Sequence, residues 1–468
     1  YGDPPDLPSF PTRRSSDLLK DYLSYRPEKK PEIADLVARG KLLIGPWYVL
    51  PDEFLISGEG HIRNFLLGQS YCKEIGPSMK HGYLPDSFGH PSQIPQILRG
   101  LGLDDAIFWR GVDKDITTTE FIWEGLDGSH VLAIHMPYSY GIGACLPSDP
   151  SALLARFNKA IDRLEPLATS QAILLMQGVD HVAPDPDLPE KLDAIRAAFP
   201  DWKIVQGSFD TYVQHIDRQS LVEKTHGELR SGYRAYLLGG TISTRMYLKQ
   251  LAYETEQLLT GYAEPLAVLA HMINGTPVPA ERLRRAWELY LENMPHDSIC
   301  GCSIDDVHRE MLLRFDNLKT VCRHIIDGSV KAIQRTIGLS DTGSEGFLLF
   351  NPLPFERNET VDVSIPFETA VLRQVDYLTG ELVEYHPQFT RPIPSGVVVT
   401  GPTGFRSEGL VLGWEDRDDM RLSLDRQPVM EHVRTIRLRC PLQRIPSMGV
   451  ATYSCTWMYS ARSPVVPG

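Results

Sequence analysis

Between Leu19 and about Arg230, short apolar runs of strand character alternate with stretches of helical period, which restricts the first half of the chain to an α/β architecture. Residues 41–50, 81–86, 106–111, 130–137, 172–178 and 202–208 have the apolar content of strands. Residues 61–76, 93–102 and 151–167 read as helices, the first with Ile62, Phe65, Leu66 and Tyr71 near one stripe. The expectation is a mainly parallel sheet or barrel with helices outside, its chemistry gathered at the C-terminal ends of the strands.

The period changes twice more. Over 238–337, Leu283, Ala286, Trp287, Tyr290, Leu291 and Met294 follow a helical stripe, as do Met311, Phe315, Leu318, Cys322, Ile325 and Ile326. A third stripe, from Leu248 to Tyr262, is expected to end at Gly261 and Pro265. This stretch reads as a helical middle domain. After a Ser/Gly-rich linker at 338–346, Val361, Val363 and Ile365 alternate with polar neighbours, and 338–468 reads as an incomplete β-sandwich. At the other end, residues 1–18 have neither period nor cap logic and read as an artefactual leader. The α/β domain proper is therefore drawn at 19–237, with its first strand missing.

Forty-seven Lys and Arg against 60 Asp and Glu give a net charge of −13, which argues against a nucleic-acid partner. No apolar run approaches the length of a membrane span, and no basic-then-apolar leader is present. The seven cysteines are scattered and odd in number, so a reducing cytoplasm is expected rather than a disulfide framework. Self-association is left open.

Four motifs carry residues able to do chemistry. Asp86, in Tyr83-Leu-Pro-Asp-Ser-Phe-Gly-His90, follows a strand on a constrained loop; it is either functional or a cap for the helix after it. Asp180, in Gln177-Gly-Val-Asp-His181, is either functional or a solvated residue at a helix entry. Two carboxylates at strand ends of one sheet are what glycoside hydrolysis needs, one to attack or activate water and one to protonate the leaving oxygen. His296, in Pro295-His-Asp-Ser-Ile-Cys-Gly-Cys302, ends the strongest amphipathic helix. A zinc site using Cys300 and Cys302 lacks the second ligand pair of a closed centre. Trp47 and Tyr48 are either an aromatic platform for a sugar or core residues. Arg110 either holds a carboxylate charged or makes a structural ion pair.

Taken in order, GPWYVLPDEF, YLPDSFGHPSQIPQIL, FWRG, QGVDH, STRMYLKQ and NMPHDSICGCSIDDVHREM resemble the glycoside hydrolase family 38 α-mannosidases, the bacterial mannosylglycerate-hydrolase-like branch most of all. LLFNPLPFERNE resembles the start of that family's β region. The resemblance implies a seven-stranded α/β barrel, a three-helix middle domain and C-terminal β-sandwich domains, acting on a mannose-containing small molecule or oligosaccharide. It implies a retaining, zinc-dependent reaction in which Asp86 is nucleophile and zinc ligand, Asp180 is the acid/base, and His296 is a zinc ligand. Arg110 would stand beside the nucleophile and Asp297 would contact sugar hydroxyls, while Cys300 and Cys302 would not bind zinc. The family's early His-x-Asp motif, which supplies two more ligands, has no match here, since the first histidine is His61. Weak zinc binding and an inactive chain are therefore expected. A metal-dependent carbohydrate deacetylase and a non-catalytic carbohydrate-binding remnant are the alternatives.

Overall fold

The computed structural model describes residues 16–178, 180, 182, 185–336, 345–375, 378–384, 389–421 and 429–459. Two compact units are formed, Tyr1–Glu256 with Glu281–Val321, and Gln257–Ala280 with Cys322–Gly468. Residues 1–15 of the expected leader, most of the 338–346 linker and the last nine residues lie outside the described residues, as does His181.

In the first unit, strands β1 (Gly82–Leu84), β2 (Asp105–Phe108), β3 (Glu120–Glu124), β4 (His130–His135) and β5 (Lys224–His226) form one sheet in the order β1-β2-β4-β3-β5. Strands β1, β2 and β4 are parallel, β3 returns antiparallel beside β4, and β5 lies parallel to β3. Side chains alternate between two cores. Ala106, Phe108, Phe121, Trp123 and Ala133 enter one with Leu84 and Leu98; Ile107, Leu132 and Ile134 enter the other with Met136 and Tyr212. Burial on both faces explains why β2 and β4 read as near-continuous apolar runs.

The expected seven-stranded barrel is thus, among the described residues, a five-stranded mixed sheet. Residues 172–178 and 203–208 are irregular, and 41–50 holds isolated bridge residues at Ile44, paired with Ser78, and at Val49 in place of a full strand. Their apolarity serves packing. The 172–178 segment is tied to another irregular one through Gly143 N–H to Met176 O and Gly178 N–H to Tyr140 O. Trp202 and Ile204 lie against a cluster built from Phe157, Ile161 and Ile195.

Helices α1 (Ser16–Tyr25), α2 (Lys30–Ala38), α3 (Gly58–Lys73), α4 (Ile94–Gly100), α5 (Pro150–Leu164), α6 (Leu188–Ala198) and α7 (Phe209–Val213) complete this part of the unit. Ser16 and Asp17, within the stretch expected to be a leader, are buried and bonded to the carbonyls of Trp47 and Tyr48. Helix α3, capped by Ser57, turns only half of its expected apolar stripe inward: Phe65 packs on the sheet core and Tyr71 on Tyr48, while Ile62 and Leu66 face solvent. Its fully buried residues are Gly60, His61, Asn64, Leu67, Gly68 and Cys72. Asn64 exchanges two hydrogen bonds with the backbone of Val49, at 2.8 and 2.9 Å. A Cβ on Gly68 would meet Pro46 O at 2.5 Å. Small and amide side chains let the 46–50 backbone lie directly on the helix, and that contact fixes where the following loop begins.

Helices α8 (Met246–Leu258), α9 (Glu264–Asn274), α10 (Ala280–Leu291), α11 (His296–Cys300) and α12 (Asp305–Thr336) cover the expected middle region, and the boundary between the units cuts through α8 and α12. Gly261 and Pro265 do not end a helix. A π-helical turn, Leu259–Ala263, leads straight into α9, whose first turn takes Pro265 where no N–H partner is needed. Among the described residues no helix is long and apolar enough to cross a membrane.

In the second unit, β6 (Gly346–Asn351), β7 (Arg357–Val375), β8 (Leu382–Glu384), β9 (Gly396–Thr400), β10 (Arg406–Arg421), β11 (Val429–Ile445) and β12 (Gly449–Met458) pair antiparallel in the order β6-β12-β9-β10-β11-β7-β8. This is one nearly closed sheet, where a sandwich of two was expected. Its long strands bend around a single core of Ile365, Phe367, Val397, Ile436, Leu438 and Tyr453. Register shifts in β7–β11 and β10–β11 mark where ladders bend.

Candidate active site

Three loops of the first unit are laced together. Leu50 O accepts both the backbone N–H and the Nδ1–H of His296, each at 3.1 Å. Pro51 O accepts Ser87 Oγ–H at 3.0 Å, and Asp52 N–H reaches Met294 O at 3.3 Å. The buried Asp52 carboxylate accepts the N–H groups of Phe54 and Leu55 and the Cys300 thiol, 3.1 Å away. Burial raises the pKa of Asp52 and pushes the Cys300 thiol up as well. Glu53 Oε1 lies 2.9 Å from His90 Nδ1, and neither side chain has any exposed surface. The loop after β1 approaches residue 229 so closely that a Cβ on Gly89, whose φ is 98°, would meet Leu229 O at 2.9 Å.

This lacing presents Asp86 and His296 to each other. His296 Nε2 is 3.6 Å from Asp86 Oδ2 and 3.7 Å from Asp297 Oδ2. The imidazole is buried, and Nε2 has no hydrogen-bond partner. With Nδ1–H committed to Leu50, Nε2 is the free ring nitrogen. Burial works against a charged His296, but the facing carboxylates of Asp86 and Asp297 outweigh it and raise its pKa. Arg110 donates Nε–H and Nη2–H to Asp86 Oδ1 at 2.9 and 2.8 Å, a contact that favours the ionised carboxylate. The guanidinium also lies 4.0 Å above the Trp109 ring and donates to the carbonyl of Tyr236.

Asp180 is exposed and accepts Tyr140 OH at 3.3 Å. Tyr140 stands edge-on to Trp109 at 5.5 Å, so Asp86 and Asp180 terminate one chain of contacts through Arg110, Trp109 and Tyr140. Asp297, partly exposed, accepts the Cys302 thiol at 3.3 Å, and that thiol's pKa is pushed up to about 12 by burial and the aspartate. The sugar platform expected of Trp47 and Tyr48 is not formed. Both are buried, Trp47 in the sheet core with its indole N–H on Tyr83 O, and Tyr48 stacked on Tyr71 with its hydroxyl on Glu292. Packing of 46–50 on α3 leaves no ring face to a ligand.

The Glu53–His90 pair escaped the sequence reading although both of its motifs were singled out. A buried carboxylate in PDEF and a histidine after Phe-Gly are 37 positions apart, and only the fold joins them. Among the described residues, no group of three His, Cys, Asp or Glu side chains is arranged to hold a metal ion.

Residues 8–232 match the glycosyl hydrolases family 38 N-terminal domain, and residues 237–333 match the alpha mannosidase middle domain. A provisionally named mannosylglycerate hydrolase of Halalkalibacterium halodurans is 33% identical over 368 residues, 75% of this chain and 40% of that protein. The human alpha-mannosidase 2C1 is 28% identical over 344 residues, 71% of this chain and 31% of that protein. An alpha-mannosidase from Enterococcus faecalis superimposes with a TM-score of 0.85 at 29% identity, covering 97% of this chain and 52% of that one. The chain therefore spans two fifths or less of the curated relatives it matches here.

Proposed function

The chain belongs to glycosyl hydrolase family 38, and on that premise we propose that the cluster at Asp86 is the site of a retaining α-mannosidase. The observation that carries this reading is the Asp86 carboxylate held between two groups, Arg110 on Oδ1 and the unpartnered Nε2 of His296 facing Oδ2. Asp86 attacks the anomeric carbon as the bond to the leaving oxygen breaks, while Asp180 gives that oxygen its proton. Asp180 then takes a proton from the water that releases the sugar, and the two inversions retain configuration. Arg110 keeps the nucleophile charged and aimed, and Asp297 is placed to bind sugar hydroxyls. The names of the relatives support a mannose-containing substrate, small and acidic in its aglycone if the bacterial relative is the guide. Seven unpaired cysteines suit a reducing compartment, and we assign the enzyme to the cytoplasm.

Zinc suits the donors present, a buried imidazole nitrogen without a partner beside a carboxylate. Asp86 and His296 would hold it, and when bound it would supply Lewis acidity to sugar hydroxyls. Two donors fall short of the usual three of a catalytic zinc, and the 468 residues hold no histidine before His61. The chain as given is therefore expected to be a poor catalyst. The test is incubation with an α-mannoside, with and without added zinc, together with mannoside binding by NMR. Binding that is lost in Asp86→Ala with little or no turnover supports the reading. No binding overturns the substrate class, and robust turnover overturns the two-donor account.

A further inference from the structure

The segment after β5 is strapped across the ends of the strands that carry the site. His90 and Leu229 exchange backbone hydrogen bonds at 2.9 Å in both directions, and Ser231 N–H reaches Gly111 O at 2.9 Å. The approach is close enough to demand glycine. A Cβ on Gly111, whose φ is 95°, would meet Leu229 O at 2.4 Å. A third tie is the side chain of Arg110, which donates to the carbonyl of Tyr236 while holding Asp86. The strap is thus anchored to the nucleophile's loop at residue 90, to the next loop at residue 111 and to the arginine between them.

That anchored backbone carries two large rings left in solvent. Tyr236 is 84% exposed and Tyr233 65%, followed by Leu238 at 52%. Exposed aromatics on backbone tied to the arginine that holds Asp86 are the features of a binding surface rather than of a core. Tyr233 has the Arg234 guanidinium 5.6 Å from its ring centre, and the more exposed Tyr236 offers an apolar face with a polar hydroxyl at its tip, a combination that suits the C–H face of a sugar ring and its hydroxyl rim.

We propose that Tyr236, with Tyr233 three positions before it on the strap, is the aromatic platform for the second ring of an α-mannoside, the sugar or aglycone joined to the mannose bound at Asp86. This rests on the mannosidase reading of the site and assigns to the strap the role that Trp47 and Tyr48, buried as they are, do not fill. One tie is a backbone carbonyl, so replacing the Tyr236 side chain leaves it in place.

The test compares a two-ring ligand, an α-linked mannobiose, with methyl α-mannoside, by saturation-transfer NMR titration on the full chain. Tyr236→Ala is expected to weaken mannobiose binding about five- to tenfold and leave methyl α-mannoside within about twofold. Tyr236→Trp is expected to restore it. Equal weakening of both ligands, or none, overturns the platform while leaving the mannosidase reading intact. Failure of the unmodified chain to bind either ligand overturns both together.

Discussion

Glu53 and His90 face each other fully buried, and neither Glu53 Oε2 nor His90 Nε2 has a second partner. Breaking such a pair from one side leaves the other group buried and uncompensated, which costs far more than the pair contributes. Glu53→Ala is expected to lower stability by about 3–5 kcal/mol in urea denaturation, with His90→Ala similar and the double variant well short of their sum. Additive losses would show that the two are independent. His81 provides a pH handle away from the site. Burial opposes its charged form, but the Asp105 carboxylate at 2.7 Å, helped by Asp210, raises its pKa. The charged form is favoured in the fold, so this stabilisation is complete below the ordinary histidine pKa of about 6.5 and is lost as pH rises through the raised folded value. The stability gap between the parent and His81→Gln should narrow as pH rises above the ordinary histidine value of about 6.5; a constant gap would assign the contact no charge-dependent part.

Among the elements, α3 has the most to say about how a site is built. Its amphipathic pattern predicted a helix, and a helix forms. Its buried face was only half read, because Phe65 and Tyr71 turn inward as expected while Ile62 and Leu66 do not, and the helix also buries His61, Asn64, Gly68 and Cys72. Small and hydrogen-bonding residues at helical spacing can signal a backbone lying against the helix, which periodicity in hydrophobicity alone does not register. Gly68→Ala is expected to cost about 1–3 kcal/mol by forcing the 46–50 segment away, and Asn64→Ala a similar amount by orphaning the Val49 backbone groups. Unchanged thermal melting in both would contradict this. Strands β1, β2 and β4 were legible because their apolar runs are long enough to bury both faces. β3 and β5 were missed, one hidden in a hairpin and the other only Lys-Thr-His. The 172–178 run was mistaken for a strand because apolar content reports burial, not ladder pairing.

For the whole molecule, motifs far apart in the sequence matter only where the chain closes on itself. Asp86 and His296 are separated by most of a domain, yet the carbonyl of Leu50 and the lacing of three loops bring them to 3.6 Å. That juxtaposition was implied by resemblance, not by any spacing, and the platform role given to Trp47 and Tyr48 failed for the same reason: a motif names residues without saying which way they point. The long C-terminal strands were legible by their alternation, while their closure into one sheet depends on bends that no two-residue period reveals. The most direct measurement is a zinc titration against a chelating dye, run on the parent chain, Asp86→Asn and His296→Ala. Weak uptake in the parent, falling at least about tenfold in each variant, is the expected result; uptake unaffected by both substitutions would mean that these two side chains do not share a cation.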